Sequence, residues 1–190
     1  MTASLLENLA ALLGLAYLLL AMRERREAWI AGGIASGLFL WVFARSGLPM
    51  QSALQLYYIG VAVHAWRTWG RVDDSASDGI RYSDLRSQLF LPVACVAVSA
   101  AIVFVRGLGE DSQAWLDTLT SCGSLVATWL VAQKRLEAWL YWVIIDAATT
   151  VLYFRAGLHS SALLYVLYTG LALVAWITWR KRQTPLAAQT

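Results

Sequence analysis

The chain has 190 residues, about the length of one domain, and 59% of them are apolar, whereas soluble globular proteins use 45–50%. Only 14% are charged and the mean hydropathy is +0.56, so a charged shell could not cover a compact body made from this chain. These values argue against a soluble enzyme and indicate lipid as the solvent. The net charge of +3 is too small to suggest a nucleic-acid partner.

About seven apolar stretches reach the roughly 17–25 residues that a membrane-spanning helix needs. The first is predicted to be a retained helix and not a signal peptide, because it carries Glu7 and lacks a basic leading segment. Charged segments such as "RERRE" at 23–27 and "QKRLE" at 133–137 indicate tight helical hairpins between spans. The predicted spans are 4–22, 28–44, 50–69, 86–105, 112–132, 138–154 and 158–179.

The two ends of the chain align without a gap when the sequence is shifted by 110 residues. About one residue in three is identical between 24–71 and 134–181, as in "REAWIAGGI" against "LEAWLYWVI". Each repeat holds three predicted helices, and the span at 86–105 has no counterpart. One added helix gives two three-helix repeats the same direction across the membrane. The sequence therefore predicts an all-α integral membrane protein with seven transmembrane helices in a 3+1+3 parallel-repeat arrangement.

The predicted organisation places the first repeat at 1–71, a polar linker with the odd fourth helix at 72–110, and the second repeat at 111–182. Residues 183–190 are predicted to be a disordered tail. Of the 15 Lys and Arg residues, three fall on one side of the predicted membrane and 12 on the other. By the positive-inside rule, the N-terminus is expected outside and the C-terminus in the cytoplasm.

No catalytic constellation, metal site or cofactor motif emerges from the sequence. The two histidines are far apart, and the two cysteines lack ligand spacing. The glycines of "AGGIASG" at 31–37 lie within a predicted membrane helix and have no following Lys-Ser/Thr, so they do not form a phosphate loop. We expect these small residues to allow close packing of helices.

Asp146 falls near the middle of the predicted sixth span, where a carboxylate is costly unless it faces a partner or water. Trp139 and Trp142 precede it at spacings that place all three side chains on one stripe of the helix. The stripe is roughly 10 Å long, about the length of a nucleoside-sized molecule. Aromatic faces with an acidic group suit a flat cationic ring. The alternative is that Trp139 is an interfacial anchor and Asp146 pairs with a neighbouring hydroxyl group.

Other polar and aromatic residues allow two interpretations each. Gln55, with Tyr58 one turn on, is either a contact between helices or a second part of a ligand site. Four tryptophans lie beside arginines near predicted cytoplasmic helix ends, where an aromatic belt is expected, although their repeated W-x-x-W spacing could also form part of a gate. These are Trp66, Trp69, Trp176 and Trp179.

The sequence resembles the PnuC family of bacterial vitamin transporters, which is similar in architecture to the SWEET sugar transporters. The resemblance covers the chain from about residue 5 to residue 182, without the linker. Its most specific element is the W-x-x-W-x-x-x-N/D pattern, matched by Trp139, Trp142 and Asp146. The "LEAW" segment before this pattern and the run from Gln55 to Trp69 support it.

The resemblance implies facilitated diffusion of a B-vitamin precursor, most readily nicotinamide riboside, across the bacterial inner membrane, with trapping by a separate intracellular kinase. Relatives carry thiamine or riboflavin, which remain alternatives. The family also implies a homotrimer in the lipid bilayer, with no cofactor. A non-transporting membrane protein that uses the same helices only for packing is the competing interpretation from another class. The mid-membrane position of Asp146 favours a transporter, since a packing protein gains little from a carboxylate there.

Overall fold

A computed structural model describes residues 2–45, 49–69, 79–155 and 159–182. Within these residues the chain is all-helical, with seven helices and no strand. The helices are α1 (Thr2–Ala21), α2 (Glu27–Arg45), α3 (Pro49–Thr68), α4 (Leu85–Val105), α5 (Ser112–Ala132), α6 (Ala138–Arg155) and α7 (His159–Arg182). The chain divides into a first unit, Met1–Gly79, with α1–α3, and a second unit, Ile80–Thr190, with α4–α7.

In the first unit α2 packs against both α1 and α3, and Gly32 permits the close approach to α1. A Cβ at Gly32 would lie 2.9 Å from the Tyr17 ring of α1, which is closer than real Cβ contacts. A Cβ at Gly33 would lie 3.5 Å from Ala62 of α3. The prediction that "AGGIASG" serves helix packing is confirmed at Gly32, where no side chain fits, and not at Gly37, where a Cβ would meet nothing within 4 Å.

In the second unit each helix packs on the next, with α4 against α5, α5 against α6 and α6 against α7. The turn between α5 and α6 is tight: Lys134 adopts a positive φ of 53°, and the Arg135 amide donates to the Leu130 carbonyl at 2.9 Å. The turn between α1 and α2 has the same form, with Glu24 at φ 57° and Arg25 donating to Leu20 at 3.0 Å. The two predicted hairpins are thus confirmed.

Three helical segments among the described residues are long and apolar enough by themselves to cross a membrane: Glu27–Arg45, Gln88–Val105 and Ala162–Arg182. Helix α5 carries several polar side chains and shows how a membrane can tolerate them. The hydroxyl groups of Thr118, Ser124 and Thr128 each donate to the carbonyl four residues earlier, at 2.7–2.8 Å. Such back-bonding satisfies a polar side chain without a partner from another helix.

The structure describes only part of the predicted linker and none of the predicted tail. Residues 72–78 of the linker and the whole tail at 183–190 lie outside the described residues. The end of the predicted linker is fixed, since Ile80 is buried and the Arg81 amide donates to the Lys134 carbonyl at 3.1 Å. The described part of the linker before α4 is thus held against the α5–α6 turn.

Candidate functional site

The predicted tryptophan and aspartate stripe lies on α6. Asp146 is only 4% exposed within the second unit, although it sits in an otherwise apolar stretch of helix, while Trp142 is half-buried one turn before it. The Thr150 hydroxyl donates to the main-chain carbonyl of Asp146 at 2.8 Å, so this bond does not occupy the Asp146 carboxylate. A buried acidic group beside an indole is therefore held on a rigid helix.

Trp139, the third member of the stripe, is 1% exposed and packs edge-on against Trp179 of α7 with ring centroids 5.3 Å apart. In the first unit, Trp29 and Trp69 form the same pair at 5.3 Å. Trp69 and Trp179 are both buried, so the prediction that they lie in an aromatic belt was wrong. Each of these rings packs against a tryptophan of the neighbouring helix and does not lie at the surface.

The other two belt candidates fit the predicted surface position better. Trp66 lies under the Arg26 guanidinium, 4.4 Å from its carbon to the ring centroid, and Trp176 lies under Arg180 at 5.1 Å. Both rings are partly exposed. A cation over an indole face at a helix end is a common arrangement near a polar interface.

Two tyrosines near Asp146, Tyr165 and Tyr168, and a third that packs against Tyr165 were not predicted from the sequence. The Tyr165 ring packs against Tyr153 at 5.2 Å and against Tyr168 at 5.5 Å between centroids. Tyr165 and Tyr168 of α7 lie in the neighbourhood of the Asp146 carboxylate. The repeat contained the signal, because Tyr165 and Tyr168 are the residues 110 positions after Gln55 and Tyr58.

Gln55 and Tyr58 lie one turn apart on α3 in the first unit. Gln55 is buried and Tyr58 is half-buried, and Tyr58 lies in the neighbourhood of Tyr17 of α1. The position in the first unit that corresponds to Asp146 is Ser36, which is also buried. Helices α2 and α6 therefore each hold a buried polar residue at corresponding positions, and only α6 has a carboxylate there.

A cavity of about 440 Å³ lies at one end of the second unit, within the range typical of small-molecule sites. The α4–α5 turn, the start of α5 and the end of α6 line it, and its side chains include Arg106, Asp117 and Tyr153. Tyr153, which lines this cavity, also packs against Tyr165.

The chain matches the family model described as "Nicotinamide mononucleotide transporter" over residues 4–181. The riboflavin/roseoflavin transporter RibM of Streptomyces davaonensis is 28% identical over 173 residues, covering 88% of this chain and 81% of that protein. The nicotinamide riboside transporter PnuC of Escherichia coli is 26% identical over 203 residues, covering 93% of this chain and 85% of that protein.

A solved structure has the same fold. The crystal structure of the vitamin B3 transporter PnuC superposes with a TM-score of 0.67 at 25% sequence identity. The match covers 94% of this chain and 81% of that one, so it includes nearly all of the helical segments described above.

Proposed function

The chain belongs to the nicotinamide mononucleotide transporter family, that of the PnuC vitamin transporters, and from this premise we propose that it carries nicotinamide riboside across the bacterial inner membrane by uncoupled facilitated diffusion. An intracellular kinase would trap the vitamin by phosphorylating it. The membrane protein itself needs no cofactor for this role. The family resemblance also favours a homotrimer.

The burial of Asp146 beside Trp142 is the observation that carries the choice of ligand. A carboxylate at membrane depth is stabilised by a cation, and an indole face adds cation–π attraction to a positively charged ring. Nicotinamide riboside carries its positive charge on a flat aromatic ring, so both groups can act on the same part of the molecule. The hydroxyl groups of Tyr165 and Tyr168, near the same carboxylate, offer hydrogen bonds suited to a ribose.

Riboflavin is the second candidate, because the riboflavin/roseoflavin transporter RibM is 28% identical to this chain. Its isoalloxazine ring is flat but neutral, so it would gain stacking energy and no charge attraction from Asp146. Thiamine remains a further cationic alternative. The carboxylate therefore favours either cationic vitamin over riboflavin.

We also propose that seven helices span the membrane in the parallel 3+1+3 arrangement, with the N-terminus outside. The matched turns at Glu24 and Lys134 and the matched indole pairs support this proposal, since each recurs at the same spacing of 110 residues. Parallel repeats are a recurring plan in transporters that move one half against the other around a central site.

A binding screen with purified protein tests the proposed function. Nicotinamide riboside, thiamine and riboflavin are each titrated while tryptophan fluorescence is recorded, because Trp142 lies beside the proposed site. We expect nicotinamide riboside to bind in the wild type and to bind at least tenfold more weakly in Asp146→Asn, since a charge-assisted contact is worth about 1.5–3 kcal/mol. A competing role in packing alone would leave all three vitamins unbound, and tighter binding of riboflavin would favour the second candidate.

A further inference from the structure

A short segment before α4 is fastened to the turn that leads into α6. This segment, residues 80–84, is called the strap here. The Arg81 amide donates to the Lys134 carbonyl at 3.1 Å, and the Leu136 amide donates back to the Arg81 carbonyl at 2.9 Å. Both Ile80 and Leu136 are buried. The strap is therefore held by main-chain hydrogen bonds and by an apolar anchor, all within the second unit.

Glu137 and Arg135 add side-chain bonds to this attachment. The Ser83 amide donates to Glu137 Oε1 at 2.7 Å, and Arg135 Nη1 donates to the Tyr82 carbonyl at 2.8 Å. Glu137 is only 7% exposed and lies immediately before α6, two residues from Trp139. A carboxylate at a helix N-terminus is favoured by the helix dipole, and a backbone amide that donates to it makes a strong, directional bond.

The corresponding turn of the first unit also has an arginine and a glutamate, but there the two side chains bind each other and, among the described residues, do not bind another segment. There Arg25 and Glu27 pair with each other at 3.1 Å, and their side chains remain 61% and 46% exposed. Most backbone hydrogen bonds of the two turns correspond, including those of Arg25 with Leu20 and of Arg135 with Leu130. The turn itself therefore does not require a buried glutamate. The buried bond to the strap is a particular feature of the helix that carries the Trp139, Trp142 and Asp146 stripe.

Stability alone gives a poor account of this arrangement. The second carboxylate oxygen, Glu137 Oε2, is buried and has no hydrogen-bond partner among the described residues. Burying a charged group with one oxygen unsatisfied is costly, and a well-packed apolar side chain would avoid that cost. The directional bond to Ser83 does what an apolar contact could not, because it fixes the position of the first turn of α6.

We propose that Glu137, held by the strap, is a positioning residue that sets the orientation of α6 and thereby places Trp142 and Asp146 for the ligand. This inference rests on the proposed function for the identity of that ligand. A rotation of the first turn would move Trp139 and then Trp142, since both lie on the same stripe. A helix fixed in advance spares the ligand the cost of ordering it, which is a general source of affinity.

Binding of nicotinamide riboside to three variants tests the positioning role. Glu137→Ala loses the acceptor, and we expect it to weaken binding by about 10- to 150-fold, the worth of one charge-assisted hydrogen bond. Glu137→Gln keeps an acceptor oxygen for the Ser83 amide and should stay within about twofold of the wild type. The matched control is Glu27→Ala, which removes the corresponding carboxylate of the first unit and should also stay within about twofold.

A second variant removes the other partner of the hydrogen bond between Ser83 and Glu137. Ser83→Pro removes the donor amide, so it should weaken binding as Glu137→Ala does. The double variant should be no weaker than either single one, because both remove one bond. Unchanged binding in Glu137→Ala, a loss as large in Glu27→Ala, or additive losses in the double variant would overturn the positioning role.

Hydrogen exchange reads the strap without any ligand. In Glu137→Ala we expect the amides at 138–142 to exchange faster than in the wild type, with α2 unaffected. Ser83→Pro should give the same result and replaces Glu137→Ala if that variant does not fold. Equal exchange in wild type and variant would overturn the proposal even where binding is lost. If the wild type binds none of the three vitamins, the proposed function fails, while the exchange measurement still decides whether the strap orders α6.

Discussion

At the scale of single residues, the decisive feature is a carboxylate at the centre of an apolar helix. Insertion scales place the cost of such a group at about 2.5–3.5 kcal/mol, so a membrane protein retains it where it serves a partner, water or a ligand. Asp146 is 4% exposed, lies beside Trp142 and has Tyr165 and Tyr168 in its neighbourhood. The candidate site is therefore a mixed aromatic and acidic one, and all four residues belong to the second unit.

Trp142 and Trp139 are expected to respond differently to truncation, although the stripe contains both. Trp142→Ala should weaken binding of nicotinamide riboside by about 5- to 150-fold, the range for the loss of one stacked ring worth 1–3 kcal/mol, with little effect on stability. Trp139→Ala removes a buried ring packed on Trp179, so it should destabilise the fold by about 3–5 kcal/mol. Ligand titration and thermal unfolding of both variants in detergent separate the two effects.

Equal loss of stability in the two tryptophan variants would contradict this assignment of roles. Trp179→Ala is the control, because it removes the other ring of the buried pair. It should lower the unfolding temperature as Trp139→Ala does.

At the scale of helices, the close contact of α1 with α2 depends on the absence of a side chain at Gly32. Gly32→Ala would place a Cβ 2.9 Å from the Tyr17 ring, which is itself packed edge-on against Trp29 at 5.3 Å. The ring has little room to move away, so we expect a destabilisation of about 1–3 kcal/mol from overpacking. Thermal unfolding measures it.

Gly37→Ala provides the matched control for this substitution. Gly37 lies on the same helix, and a Cβ there would meet nothing within 4 Å. Its replacement should be neutral or slightly stabilising, since alanine favours the helix. A decrease in unfolding temperature as large as that of Gly32→Ala would show that the contact with Tyr17 is not the cause.

The helices and their hairpins could be predicted from sequence because they depend on local signals. Apolar runs of sufficient length, separated by charged turns, placed α6 at 138–154, and the structure places it at Ala138–Arg155. The burial of Trp179 and the strap could not be predicted in the same way. A tryptophan beside an arginine has the same local sequence pattern whether its indole lies at a membrane interface or in the protein core. The strap is held in part by the main-chain amide of Ser83, and every residue type except proline has such an amide, so the side chains do not indicate this bond.

In the candidate site too, residues on one helix could be predicted from the sequence, whereas residues brought together by helix packing could not. Trp142 and Asp146 were accessible because they share one helix and follow its period. Tyr165 lies on another helix, and its place near Asp146 depends on how α6 packs against α7. Only the repeat could have pointed to it, through Gln55 at the corresponding position of α3.

At the scale of the whole molecule, the proposed topology places both charged turns, α1–α2 and α5–α6, on the cytoplasmic side. Single cysteines introduced as Arg23→Cys or Gln133→Cys, in a background with Cys95→Ser and Cys122→Ser, should react with a membrane-impermeant reagent only from that side. Both positions are exposed and occupy corresponding places in the two turns. Arg106→Cys, on the opposite side in this topology, should react only from outside. Reaction of the two turn cysteines from opposite faces would contradict the parallel repeats.

The absence of a proton relay in the sequence predicts uncoupled transport. The predicted spans contain no series of Asp, Glu or His residues such as coupled carriers use, and the chain has no P-loop sequence for ATP. Asp146 can therefore serve the ligand directly. Transport should run in either direction, down the gradient of the vitamin, and Asp146→Ala should slow it in both directions by the same factor.

Flux of nicotinamide riboside into liposomes that contain only the purified protein tests this account most directly, with the membrane potential held at zero because the vitamin is cationic. We expect uptake to stop when the inner and outer concentrations are equal, to reach the same end point under an imposed pH step, and to become slow in Asp146→Ala. Accumulation above the outer concentration when the pH step is applied would contradict facilitated diffusion, and an absence of uptake would contradict transport of this vitamin.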